Sequence, residues 1–373
     1  MKARFVIIST ACFQTRENSS YMTVVRQQAD WPSGEVVHLD HQSQVLTGNP
    51  WGDPVNRKLS IYLPPGYSDQ VAPYIALWDL AAFTNSGPGH LNWRHHGENV
   101  PQRIDRLIHQ GKLPPVVVAF PDCYTSLGGN QYVNSASVGR YADYLVQELV
   151  PFLSGQINVI DNSSGRGVFG KSSGGFGAMS LAMNFPGIWG AVASHAGDVG
   201  FDLVYRPEFP VAASTLNACG GDIPKFLSRF WNNKRPGKAD YSTLMTLAMA
   251  ASYDADHHQP EQIRLPFSLK RCSLDEERWA NWLAHDPLNM VGRHVKPLKS
   301  LKAFYFDAGN RDQYNIQFGS RHLAKKLEKL GIHHHYEEFD GTHSGMDWRL
   351  DISLPYITKA LSDSNIELNG NSS

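Results

Sequence analysis

One serine in this chain is set up for nucleophilic chemistry by its neighbours. The stretch from Arg166 to Met179 contains Gly170-Lys171-Ser172-Ser173-Gly174, the single match to Gly-x-Ser-x-Gly in the sequence. In that pattern a strand turns sharply into a helix and lifts the serine hydroxyl clear of the sheet. The serine backbone is strained there, and strand and helix run too close for a β-carbon, so small flanking residues are required. Gly170 and Gly174 meet that requirement, and Gly175 and Gly177 let the following helix pack closely. An ordinary Gly/Ser loop has the same composition, so the rest of the chain must decide.

A serine hydroxyl attacks at neutral pH only if a base takes its proton, and the base needs a carboxylate to fix its tautomer and stabilise its cation. Both partners stand in loops after later expected strands. Asp312 follows Leu301 to Phe306, within Asp307-Ala-Gly-Asn-Arg-Asp312, and His343 follows His334 to Phe339, within Asp340-Gly-Thr-His343-Ser-Gly. Asp312 is the expected acid and His343 the expected base. Asp307 ends a strand and is expected to point sideways or cap a turn; Asp198 is the weaker competitor for the acid role. His333, His334 and His335 lie at a strand, where alternation keeps them from converging on one ion, so no metal site is expected. His90, His95 and His96 read as hydrogen-bonded loop histidines. Charge developing on a substrate oxygen needs two N–H donors. Ser173 is expected to supply one and Phe83, from the loop Leu80 to Phe83, the other.

These loops need a sheet to position them. Val36 to Leu39 and Arg57 to Pro64 read as an antiparallel lead-in. Tyr74 to Leu80 and Pro115 to Phe120 are apolar runs with little alternation, as buried strands require. A helix from Pro101 to Gln110 lies between them at right-handed crossover length. Tyr141 to Leu153 is a helix with one apolar face, Arg166 to Phe169 the strand entering the serine turn, Ala178 to Asn184 a helix, and Val192 to His195 a strand. The sheet resumes at Leu301 to Phe306, followed by a helix from Gln317 to Leu330, a last strand from His334 to Phe339 and a helix from Leu350 to Leu361. Strand and helix alternation with the order Ser, Asp, His is that of the α/β-hydrolase fold, a mostly parallel sheet flanked by helices. Residues 31–199 and 300–363 are assigned to that core. Residues 200–299, with helices expected at Phe226 to Trp231, Leu244 to Ala251 and Glu276 to Leu283, form an inserted helical cap. Residues 1–30 are a tail of uncertain role, and 364–373 are expected to be disordered.

The 373 residues carry 34 basic and 35 acidic side chains, a net charge of −1. With no basic patch, neither nucleic acid nor an anionic membrane is an expected partner. No apolar run approaches the ~20 residues that span a bilayer. Lys2, Arg4 and the short run Phe5 to Ile8 suggest an export signal only faintly. The cytoplasm is therefore the expected location, with secretion left open. Cys12, Cys123, Cys219 and Cys272 have no Cys-x-x-Cys spacing; Cys219 and Cys272 either pair in an oxidising compartment or stay free.

The chain resembles the putative-esterase family of α/β-hydrolases, which holds S-formylglutathione hydrolases, feruloyl and enterochelin esterases and mycolyltransferases. The resemblance runs from about Arg57 to Leu361. It rests on Tyr-Leu-Pro-Pro-Gly-Tyr67, Gly139-Arg-Tyr-Ala-Asp-Tyr-Leu with Glu148-Leu-Val-Pro151, Gly170-Lys-Ser-Ser-Gly-Gly175, Gly309-Asn-Arg-Asp312 and Gly341-Thr-His343. By position it implies Ser172, Asp312 and His343 as nucleophile, acid and base, in agreement with the reading of the residues themselves. Two departures matter: the family's His-Gly pair at the oxyanion loop is absent, and the cap is longer. The expected activity is hydrolysis of a small-molecule carboxylic ester through an acyl-enzyme, without a cofactor. The alternatives are acyl transfer by the same triad or a thioesterase of the S-formylglutathione hydrolase type. Trp93, Asn130, Tyr132 and Asn134 are pocket candidates, and a homo-oligomer is compatible with the sequence.

Overall fold

The computed structural model describes residues 30–370. Strand β1 (Glu35–Gln42) pairs antiparallel with β2 (Asn56–Leu63), which Pro64-Pro65-Gly66 ends. The next strands are β3 (Ile75–Leu80) and β4 (Val116–Pro121), buried at every position because helices cover both faces of the sheet. β5 (Arg166–Lys171), β6 (Ala191–His195), β7 (Ala303–Gly309) and β8 (His335–Phe339) complete eight strands in the order β1-β2-β4-β3-β5-β6-β7-β8. From β4 across to β8 all neighbours are parallel, while β1 and β2 are the antiparallel lead-in. The chain has the α/β-hydrolase fold.

Helix α1 (Val100–His109) begins with a capping box between Asn99 and Gln102. The next helix, α2, spans 141–156. It is α-helical at Tyr141–Asp143, widens to a π-helix at Tyr144–Leu149 and returns to α at Val150–Gln156. Pro151 explains the interruption: it has no N–H to donate to the preceding turn. Helix α3 (Ser173–Asn184) starts directly after the candidate nucleophile, five residues before the start its sequence suggests. Gly174 and Gly175 sit against the sheet and Gly177 against the Tyr132 ring, where side chains would clash.

Between β6 and β7 come α4 (Phe209–Asn217), α5 (Ile223–Asn232), α6 (Lys238–Tyr253) and α7 (Glu276–Leu283), with short helical turns before and after them. The chain then forms α8 (Ile316–Lys329) and α9 (Leu350–Gly370) around β8. Of the tail expected to be disordered, 364–373, residues 364–370 instead continue α9. No proline or glycine interrupts Ser364-Asn-Ile-Glu-Leu-Asn, so the backbone ladder has nothing to break it. Residues 1–29, with most of the expected N-terminal tail and Cys12, and 371–373 lie outside the described residues. One apolar layer packs α1 and α9 on the sheet through Ile104, Leu107, Leu354 and Ile357; the other joins α2, α3, α8 and the helices after β6. Cys123, Cys219 and Cys272 are free thiols. Among the described residues no helix is long and apolar enough to cross a membrane.

Candidate active site

The turn from β5 into α3 holds Ser172 at φ 56° and ψ −123°, a strained conformation for a residue with a side chain. The surroundings fix it there. A β-carbon on Gly174 would lie 1.9 Å from the Leu80 carbonyl oxygen, and one on Gly170 would lie 2.6 Å from the same atom. β3 thus grips both sides of the turn, and the Ser172 N–H donates to the His195 carbonyl at 2.9 Å. The hydroxyl points into a cleft of about 410 Å³ that Phe83, Tyr205, Met245, Tyr314 and His343 also line.

Asp312 and His343 come from the loops after β7 and β8, which are tied to each other. The Asn310 N–H donates to the Phe339 carbonyl at 2.8 Å and the Arg311 N–H to the Gly341 carbonyl at 2.9 Å. His343 Nδ1 donates to Asp312 Oδ2 at 2.8 Å, and the other carboxylate oxygen accepts from the Tyr314 N–H at 2.8 Å. The Tyr314 ring stands edge-on to the imidazole, 4.8 Å between centroids. With Nδ1 committed to the carboxylate, Nε2 is the basic nitrogen. Ser172 Oγ makes no hydrogen bond to the ring in this structure; such contacts commonly tighten only in the substrate complex.

Among the described residues the N–H groups of the two expected oxyanion donors make no hydrogen bond. Ser173 is the first residue of α3, where a helix leaves its N–H groups without partners. Phe83 lines the cleft, and its N–H has no acceptor among the described residues, whereas that of Thr84 next to it turns away to the Gly128 carbonyl at 2.8 Å. Tyr132 braces this loop from below, its buried hydroxyl donating to the Ala81 carbonyl at 2.6 Å.

A family model described as "Putative esterase" matches residues 54–355. The chain belongs to this family. Its fold agrees: a ferulic acid esterase is similar at a TM-score of 0.58 with 16% identity, covering 88% of this chain and 99% of that one. An S-formylglutathione hydrolase from Agrobacterium tumefaciens is similar at 0.54 with 16% identity, covering 90% and 99%. Among curated proteins, YbbA of Bacillus subtilis (strain 168), uncharacterized, is 22% identical over 156 residues, 39% of this chain and 59% of the relative. Membership of the esterase family and the shared fold support a carboxylic-ester hydrolase.

The sequence reading missed a polar network beneath the turn of this family member. Asp198, after β6, is buried at the floor of the cleft and accepts from the Tyr205 hydroxyl at 2.8 Å. Tyr205 contacts the Tyr253 hydroxyl at 3.3 Å, Tyr253 donates to Gln131 Oε1 at 2.9 Å, and Gln131 Nε2 donates to Ser173 Oγ at 2.6 Å. Burial raises the Asp198 pKa to about 6, against the lowering effect of Tyr205 and His343. No motif marks this set, since it joins a loop, the segment after β6 and α6. Of the pocket candidates, none lines the cleft: Trp93 is 63% exposed, Asn134 accepts from the Asp143 N–H, and Asn130 and Tyr132 are buried supports.

Proposed function

We propose that the protein is a serine esterase that hydrolyses a carboxylic ester of a small molecule through an acyl-enzyme. The observation that carries this reading is the strained Ser172 sharing one cleft with a hydrogen-bonded His343–Asp312 pair. Ser172 Oγ attacks the ester carbonyl while His343 Nε2 takes the hydroxyl proton, and Asp312 stabilises the resulting imidazolium through Nδ1. The carbonyl electron pair moves onto oxygen, where the Ser173 and Phe83 N–H groups receive it. As the pair returns, the bond to the alcohol breaks and His343 gives that alcohol its proton. Water then repeats the sequence on the acyl-enzyme, releasing the acid and restoring Ser172.

Turnover of p-nitrophenyl acetate and butyrate tests the assignment. The protein should hydrolyse them, and Ser172→Ala, with unchanged melting temperature, should lose turnover by on the order of 10⁴- to 10⁶-fold. A folded Ser172→Ala variant that kept most of its activity would refute the role of this serine.

A further inference from the structure

Lys171 precedes the nucleophile, and its side chain has no part in the chemistry above. It stands between two cavities, the cleft over Ser172 and a second of about 140 Å³ behind the oxyanion loop, which share Ala82 and Lys171 as a wall. The second cavity is lined by charged groups that pair among themselves. His90 Nδ1 lies 2.6 Å from Asp79 Oδ2, Arg94 holds Asp347, and Arg103 faces Glu98 at 3.9 Å and also holds Asp351. In the cleft, Glu208 accepts from Ser242 and Asp198 from Tyr205. Lys171 is left over: among the described residues its ammonium has no hydrogen bond and no ion pair, and Asp347 and Asp312 act on it only through space. Exposed Lys238 at the cleft mouth adds a second cation. Burial pushes the Lys171 pKa below the ordinary lysine range, a desolvation cost that Asp347 and Asp312 offset only in part. An anion arriving with the substrate would remove that cost.

We infer that Lys171 binds an anionic group carried by the ester substrate, a carboxylate or phosphoryl group, at the junction of the two cavities. The inference rests on the serine-esterase reading and narrows its substrate to acidic esters. A charge-assisted contact of this kind contributes on the order of tenfold or more in kcat/KM, expressed mainly in KM.

Three p-nitrophenyl esters of matched length test it: the neutral butyrate, the monoester of glutaric acid and the carboxyl ester of phosphonopropionic acid. Wild type should favour at least one acidic ester over butyrate, Lys171→Met and Lys171→Gln should bring the ratio towards parity, and Lys171→Arg should retain a preference. The ratio is internal to each preparation, so partial unfolding does not mimic the result. Binding is read separately on Ser172→Ala protein, where glutarate or inorganic phosphate should raise the melting temperature and Lys171→Met added to it should abolish the rise. If neither anion stabilises the protein, or if the acidic preference survives Lys171→Met, the inference is overturned. Stabilisation through Lys171 with no turnover of any ester would uphold anion binding at Lys171 and refute the esterase reading and the acidic-ester assignment with it.

Discussion

The protein contains two sets of serine, histidine and aspartate, and their environments differ at each point that matters for reactivity. In the cleft, His343 is 2.8 Å from Asp312, and Ser172 is not yet hydrogen-bonded to the ring. In the core between β6, β7 and α9, His195 Nε2 is 2.8 Å from Ser353 Oγ and its Nδ1 is 3.0 Å from Asp307 Oδ1, a more complete chain of hydrogen bonds. Yet Ser353 is 0% exposed and sits inside α9, and Asp307 is also held by Arg349 at 2.7 Å and by the Tyr305 hydroxyl at 2.9 Å. Ser172 has the strained turn, the open cleft and free N–H groups at a helix start. Residue types and short distances build a brace as readily as a nucleophile; access and preorganised donors separate them.

Substitutions in the two sets should therefore have opposite consequences. The largest effect is expected from His343→Ala, which should lower ester turnover by on the order of 10⁴- to 10⁶-fold with little change in melting temperature, Asp312→Asn following at about 10⁴-fold. Initial rates beside thermal unfolding read both quantities. Next, Asp307→Asn takes from buried Arg349 one of its two carboxylate partners, Glu337 being the other, and should cost about 1–3 kcal/mol in denaturant unfolding, while the folded fraction keeps its turnover. Comparable loss of activity and stability from substitutions in both sets would erase the distinction.

The acids of the two regions also predict opposite pH dependence. Asp307 loses solvation on burial, but His195 and Arg349 outweigh this and hold its pKa below the usual carboxylate range. Its stabilisation is present above that range and disappears as pH falls through the lowered value. For Asp198 burial raises the pKa from the ordinary 3.8 to about 6, so its contribution is full below about 4 and disappears as pH rises through about 6. Between pH 4 and 8 the stability difference should move in favour of Asp198→Asn by roughly 2–3 kcal/mol, whereas the deficit of Asp307→Asn should deepen as pH rises out of the acid range. The smallest effect is expected from Ser353→Ala, about 1–2 kcal/mol for the histidine nitrogen left without its partner, with turnover intact.

Much of the cleft was legible in the sequence because its parts announce themselves locally. Apolar runs mark β3, β4 and β7, a glycine-bracketed serine marks the turn, and Asp312 and His343 stand directly after strands whose parallel register brings their loops together. The brace was not legible: Asp307 looks like a strand end, and Ser353 lies where only helical spacing is visible. Nor were the start of α3, hidden by Gly-Gly-Phe-Gly, or the link from Asp198 through Tyr205 and Tyr253 to Ser173. Such contacts depend on how distant segments pack, and no local pattern encodes them.

Covalent labelling tests the central claim directly, because both serines compete in one reaction. Treatment with a fluorophosphonate and peptide mapping should place the adduct on Ser172, with Ser353 unmodified and labelling greatly slowed in His343→Ala. An adduct on Ser353, or labelling that proceeds unchanged in Ser172→Ala, would contradict the assignment.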